Sequence, residues 1–227
     1  PTKAAGVPII TEKNADEASK SGCARGTVAQ SYDQILSDLN RAIALLDASG
    51  VKRADKRYVD SSVAHAIRAR VNLVMNRWND AAADAQHVIQ NSGCTPTSLN
   101  ETGVPSFNSL SESDWLWGIK IEETDRVVTS GIVNWPSHMG SLCYGYATVG
   151  AWRRINKKLY NSIPATDKRK TWFCDENAKS AGLTEAQQAY LDGRGAVLCT
   201  QVKFAPYKGT VGNSTKANDI PLIRIEE

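Results

Sequence analysis

No apolar run in this sequence approaches the roughly 20 residues that carry a helix across a bilayer, so a membrane-spanning helix is not expected. The opening Pro1-Thr2-Lys3-Ala4-Ala5-Gly6-Val7-Pro8 also lacks the apolar stretch of a secretory leader. Charge of one sign is barely in excess. The 27 Lys and Arg against 24 Asp and Glu leave +3, too little to point to nucleic acid or an acidic surface as a partner. Cysteine is sparse: Cys23, Cys94, Cys143, Cys174 and Cys199 are odd in number, far apart and without a CxxC pair, which argues against a zinc or iron-sulfur site and against a disulfide scaffold. If a bridge forms, Cys174 to Cys199 is the pairing expected. The three histidines, His65, His87 and His138, stand alone, and no metal or other cofactor is implied.

What the sequence does contain is helical periodicity across residues 31–93. Tyr32, Ile35, Leu36, Leu39, Ile43 and Leu46 recur at steps of three and four and line one helix stripe, with Thr27 placed to cap it. After Asp60-Ser61-Ser62, Val63, Ala66, Ile67, Ala69, Val71, Leu73 and Val74 cover most of a second helix, which predicts that it is sandwiched. A third helix is expected to be capped by Asn79, to bury Ala82, Ala85, Val88 and Ile89, and to stop at Gly93. Asp80 and Asp84 fall in its first turns, where negative charge suits the helix dipole.

The joint Asn76-Arg77-Trp78 is short enough to force the second and third helices antiparallel, with Trp78 expected to close the open end of the pair. Ala69, Leu73, Trp78 and Ala82 resemble the small-and-aromatic pattern of a tetratricopeptide hairpin, although ordinary antiparallel helix packing produces the same pattern.

Around this core the chain reads as irregular. Residues 1–30 form a lead-in, and residues 94–227 a loop-rich layer with short strands and one helix near 150–163. Trp115, Trp117, Ile119 and Ile121 alternate as in a short strand, so the neighbouring Glu122 and Glu123 point to opposite faces and do not form a catalytic pair. The basic residues of 153–170 beside Trp152, Tyr160 and Trp172 raise a nucleic-acid reading, but a solvated helix face is the commoner meaning of such a pattern. Residues 197–204 suit a strand, and residues 220–227 open like the first turns of a helix.

Folding explains residues 125–150 least. Arg126, Asn134, Trp135, His138, Met139, Tyr144 and Tyr146 are interleaved there with Gly131, Gly140, Gly145 and Gly150 and follow no sustained period. Rings in a glycine-rich loop either fold back onto the core or make a surface on which an apolar face, such as that of a sugar ring, can stack.

Several phrases in order resemble the SusD/RagB family of Bacteroidetes surface glycan-binding lipoproteins. They are Gly6-Val7-Pro8, the helix with Tyr32, Ile35, Asp38-Leu39, Ala42-Ile43 and Leu46, and the pair running from Ala64 through Leu73 to Trp78-Asn79-Asp80-Ala81 and Ala85. Lys203-Phe204 and Asp219, Pro221, Arg224 and Glu227 complete the set. The resemblance implies a mainly α, SusD-like fold with a tetratricopeptide-like core, of which residues 1–227 would be a single middle portion lacking the lipid-bearing cysteine and the outer helical repeats. It further implies no catalytic residues, an outer-membrane location through a lipid anchor, and presentation of a glycan or oligosaccharide to a SusC-like TonB-dependent transporter. Trp135, Tyr144 and Tyr146, with Asn134, His138 and Arg126 as polar company, lie in a region similar to the family's binding loops. The rival readings are a helical protein-interaction scaffold with no glycan site of its own and, more remotely, a glycosidase, which would need two converging carboxylates.

Overall fold

The computed structural model describes residues 3–129, 135–212 and 218–227. Its backbone separates into two compact units, Pro1–Gly93 and Cys94–Glu227.

The first unit opens with strand β1 (Ala5–Pro8), helix α1 (Ala15–Ser21) and strand β2 (Arg25–Thr27), the two strands pairing antiparallel with Ala5 opposite Thr27. Gly6 is required at this spot because a Cβ would collide with the Thr27 carbonyl and Ser31 Oγ. Thr27 then starts α2 (Val28–Ser49) with a full capping box, its hydroxyl taking the Gln30 amide and the Gln30 side chain taking the Thr27 amide. Gly50, left-handed at φ 60°, ends the helix. Asp60 caps α3 (Ser61–Val74) by accepting the Val63 N–H at 2.9 Å, and Asn76 turns the chain in the left-handed region at φ 61°. The last helix, α4 (Trp78–Asn91), is followed by Gly93 at φ 71°.

Helix α3 packs against both α2 and α4, the sandwich its periodicity predicts. Val63, Ala64 and Ala66 are buried there, and Val63 alone, with no exposed surface, contributes on the order of 2 kcal/mol by leaving water.

Several details differ from the sequence reading. Ile35 on α2 and Leu73 and Val74 at the end of α3, expected on packed faces, are exposed. Helix α4 begins one residue before Asn79, with Arg77 at the cap position and no side-chain cap bond. Its buried seam is Ala81, Asp84 and Val88, whereas Ala82, Ala85 and Ile89 are exposed. The rotation of one position follows from Asp84, which is drawn inward by Arg68 and His65 rather than left at the surface. Trp78 is 58% exposed and closes nothing.

In the second unit, β3 (Trp115–Ile119) pairs antiparallel with β4 (Ile220–Arg224), placing Trp115 opposite Arg224 and Ile119 opposite Ile220. Residues 220–224 are therefore a strand and not the first turns of a helix. Asp219 fixes their start by accepting the backbone N–H groups of Leu110 at 2.9 Å and Ile121 at 3.0 Å. Arg224, at the other end, donates its Nε to Asp114 Oδ2 at 2.6 Å. These tertiary bonds and the ladder outweigh the weak helical bias of five residues.

The short helices α5 (Arg126–Thr129), α6 (Trp135–Met139), α7 (Lys157–Ser162) and α8 (Glu185–Gly193) complete the unit, with 3₁₀ turns at Tyr146–Thr148, Lys168–Trp172 and Tyr207–Gly209. Its core holds Leu142, Cys174, Leu191 and Val202, with Trp152, Leu183, Tyr190 and Ala196 packed against them.

The helix expected near 150–163 is confined to α7. Residues 153–155 instead run extended beside 199–201, where Gln201 N–H reaches the Arg153 carbonyl at 2.8 Å and Ile155 N–H the Cys199 carbonyl at 3.1 Å. The strand expected at 197–204 is reduced to isolated bridges at Thr200, Gln201 and Phe204. Cys174 and Cys199 are held together by a 2.9 Å bond from the Cys199 N–H to the Cys174 carbonyl, yet both are free thiols.

Candidate functional site

The aromatic, glycine-rich loop divides sharply by burial. Leu142, Cys143, Gly145, Ala147 and Thr148 are buried, while Tyr144 and Tyr146 between them remain 37% and 39% exposed. Gly145 makes this possible. Its φ of 151° lies where side chains are rarely found, and a Cβ there would overlap Ser137. Ser137, 1% exposed, accepts the Tyr146 N–H on its hydroxyl at 3.2 Å. Thr148 closes the turn, its Oγ1 accepting the Gly145 N–H at 3.2 Å while its own N–H reaches the Gly145 carbonyl at 3.0 Å. The loop is anchored on both sides, and the two rings are its outward parts.

The other predicted residues have distinct surroundings. His138, exposed at the end of α6, lies against Tyr146 with ring centroids 4.8 Å apart. Trp135 is half-buried and packs edge-on against Phe204 at 4.6 Å, so part of its surface is occupied by the protein itself. Arg126 is exposed at the start of α5. Asn134 lies outside the described residues. The structure thus groups His138 with Tyr146 and gives Trp135 a different neighbour.

Sequence reading missed the residue that adjoins Tyr144. The Arg194 guanidinium lies 5.5 Å from the centroid of the Tyr144 ring and 5.5 Å from that of Tyr190. A signal was available, since Tyr190 and Arg194 are four apart and so share one face at the end of α8.

A second aromatic group, half-buried, surrounds Lys203. Its Nζ is 4.1 Å from the centre of the Phe107 ring and 5.1 Å from that of Trp172, with Arg224 on Phe107 at 4.3 Å. Burial, and then the Arg224 charge, hold the Lys203 ammonium below the ordinary lysine range.

Two open grooves of about 560 and about 520 Å³ lie in the first unit and contain none of the predicted site residues. Among the described residues, no cluster of three His, Cys, Asp or Glu could hold a metal, and no helix is long and apolar enough to cross a membrane. Several basic side chains of 153–170 serve local structure. Arg154 donates to the Leu198 carbonyl at 2.8 Å, Lys170 to the Ile163 carbonyl at 2.8 Å, and Arg169 pairs with Asp167 at 2.6 Å.

Residues 4–73 match the family model SusD-like_3, described as starch-binding associating with outer membrane. The fold is similar to that of a SusD-like carbohydrate-binding protein from Bacteroides vulgatus (20% identity, TM-score 0.68, 98% of this chain and 42% of that one). It is likewise similar to a SusD superfamily protein from Bacteroides thetaiotaomicron (23% identity, TM-score 0.68, 99% and 45%) and to a laminarin-binding SusD-like protein (19% identity, TM-score 0.57, 96% and 52%). Its fold is SusD-like. It spans about half or less of the length of these solved structures. No curated protein matches it.

Proposed function

We propose that this chain is part of a non-enzymatic glycan-binding protein of the outer-membrane surface, and that Tyr144 and Tyr146, with His138, form the part of its ligand surface carried by these residues. The observation that carries the reading is the anchored loop, which buries its other side chains and leaves these two rings in water. Each ring offers a face to a pyranose and a hydroxyl to its substituents. The family description as starch-binding and the neighbour named as laminarin-binding support this ligand class. Trp135, Arg126 and Asn134 belong to the proposal through their place in the same stretch of sequence.

Asp114 and Asp125 have structural partners, which favours binding over hydrolysis. Asp114 is paired with Arg224, and Asp125 accepts the Glu122 N–H at 2.8 Å. Presentation to a SusC-like TonB-dependent transporter, and attachment through a lipid outside this sequence, complete the proposal.

Isothermal titration with laminarin, starch and other polysaccharides tests it. Replacing Tyr144 and Tyr146 together by Ala should weaken binding about tenfold or more, equivalent to at least about 1.4 kcal/mol. Undiminished affinity would remove both rings from the site.

A protein-interaction reading is favoured by one separate observation: Trp78, Ala82, Ala85 and Ile89 form an exposed stripe along α4. Capture of the transporter by the protein without sugar, lost on Trp78→Ala with Ile89→Ala, would support it.

A further inference from the structure

Helix α8 ends in a way that fixes Arg194. Thr184 and Gln187 form a capping box at its start, and Leu191, with no exposed surface, anchors its last turn in the core. The Leu191 carbonyl then accepts both the Arg194 N–H and the Ala196 N–H at 3.1 Å, while Gly195 turns left-handed at φ 70°. From this end the Arg194 side chain extends to the ring of Tyr190 and to that of Tyr144.

An arginine on aromatic rings uses the faces of its guanidinium and leaves the N–H donors at its edge for something else. Among the described residues, no carboxylate and no carbonyl takes those donors. The acid nearest in sequence, Asp192, is already engaged by Lys179 at 2.6 Å and by Gln188 at 2.9 Å. Arg194 itself is exposed. The result is a positioned, unneutralised cation in contact with one of the two tyrosines of the glycan surface.

We infer that Arg194 makes this surface selective for acidic glycans, in which an oxyanion on the sugar, a uronate carboxylate or a sulfate ester, meets the free edge of the guanidinium while the ring stacks on Tyr144. The inference rests on the tyrosine platform proposed above and adds the class of sugar. A planar fork of N–H donors suits two oxygens of one oxyanion. Coulomb attraction at contact distance, stronger the drier the site, separates an acidic sugar from its neutral counterpart.

The test is calorimetric titration of the protein and its variants with polygalacturonate and its carboxyl-reduced form, and with a sulfated galactan and its desulfated form. The wild type should prefer at least one acidic polymer over its neutral partner about tenfold, and the preferred pair tells carboxylate from sulfate. Arg194→Ala should erase that preference while leaving the neutral polymer bound, and Arg194→Lys should restore part of it. Arg41→Ala, which removes an exposed cation on α2, should leave the ratio unchanged. Equal binding of acidic and neutral forms by the wild type, a ratio that Arg194→Ala does not alter, or an equal effect of Arg41→Ala would each overturn the inference. In those cases, binding that Tyr144→Ala with Tyr146→Ala still weakens keeps the platform standing, whereas no binding of any polymer overturns both.

Discussion

Arg68 grips Asp84 across the α3–α4 hairpin with two bonds, Nε to Oδ2 at 2.9 Å and Nη2 to Oδ1 at 2.6 Å. His65 Nδ1 adds a third contact to Oδ1 at 2.8 Å, and the remaining Arg68 nitrogen reaches Asn40 of α2 at 2.7 Å. One buried carboxylate therefore ties three helices together. Arg68→Met should destabilise the protein by about 3 kcal/mol, because it leaves that charge buried without its main partner. A urea titration followed by circular dichroism measures this, and a midpoint equal to wild type would show that the pair adds nothing.

The same pair sets an acid limit. Burial pushes the Asp84 carboxyl up, but the hydrogen bonds from Arg68 and His65 outweigh it and hold the group below its ordinary value. Its stabilisation is complete above the unfolded-state value of about 3.9 and is lost as pH falls through the lower folded value. Wild type should therefore lose more stability than Asp84→Asn between about pH 6 and about pH 3, and parallel pH profiles for the two proteins would exclude the mechanism.

Lys203 has the opposite chemistry but the same sign of pH dependence. With its pKa lowered by burial and by Arg224, the folded chain releases this proton before the unfolded chain does. Stability should rise with pH through the window that ends near the unfolded lysine value of about 10.4. Lys203→Met should flatten that rise in denaturation profiles, and an unchanged slope would assign it to other groups.

Gly145 and Gly150 form a natural comparison. Both have positive φ, 151° and 101°, but a Cβ at Gly145 would overlap Ser137 and one at Gly150 meets nothing within 4 Å. Gly145→Ala should lower stability by about 1–3 kcal/mol and weaken glycan binding, and Gly150→Ala should do less of both. Thermal melts paired with titrations decide this. Equal effects would mean that backbone strain alone governs the loop.

The buried thiols should be inert. Burial pushes Cys143 and Cys174 up to about 12, and Cys94 and Cys199 are also buried. Alkylation of the native protein near neutral pH, read by mass spectrometry, should mark Cys23 alone, with all five reacting after denaturation without reductant. A linked Cys174–Cys199 peptide would contradict the free thiols.

Local rules made the helical unit legible. Thr27, Gly50, Asp60 and Gly93 are residue types whose backbone preferences mark helix ends, and the step of three and four in α2 puts Leu36 and Ile43 on its buried face, whereas in α3 the apolar run does not tell the buried Val63 and Ala66 from the exposed Leu73 and Val74. Helix α4 shows the limit. Its alanines permit two apolar seams one position apart, and the choice belonged to Asp84, whose partners lie 16 and 19 residues away in the sequence. The candidate site was legible in part. Tyr144 and Tyr146 stand out because rings in a glycine-rich loop need a reason, whereas the Phe204 contact of Trp135 and the Tyr144 contact of Arg194 join residues 50 or more positions apart.

By itself the sequence determined a mainly helical chain, its caps and the loop that carries its rings, since those follow from period and from backbone preference within a few neighbours. Tertiary structure alone decided that residues 220–224 become a strand, that Asp84 turns inward, and which rings keep a face in water. Each of those outcomes depends on hydrogen bonds and packing between distant segments, whose energies exceed the local preferences they override.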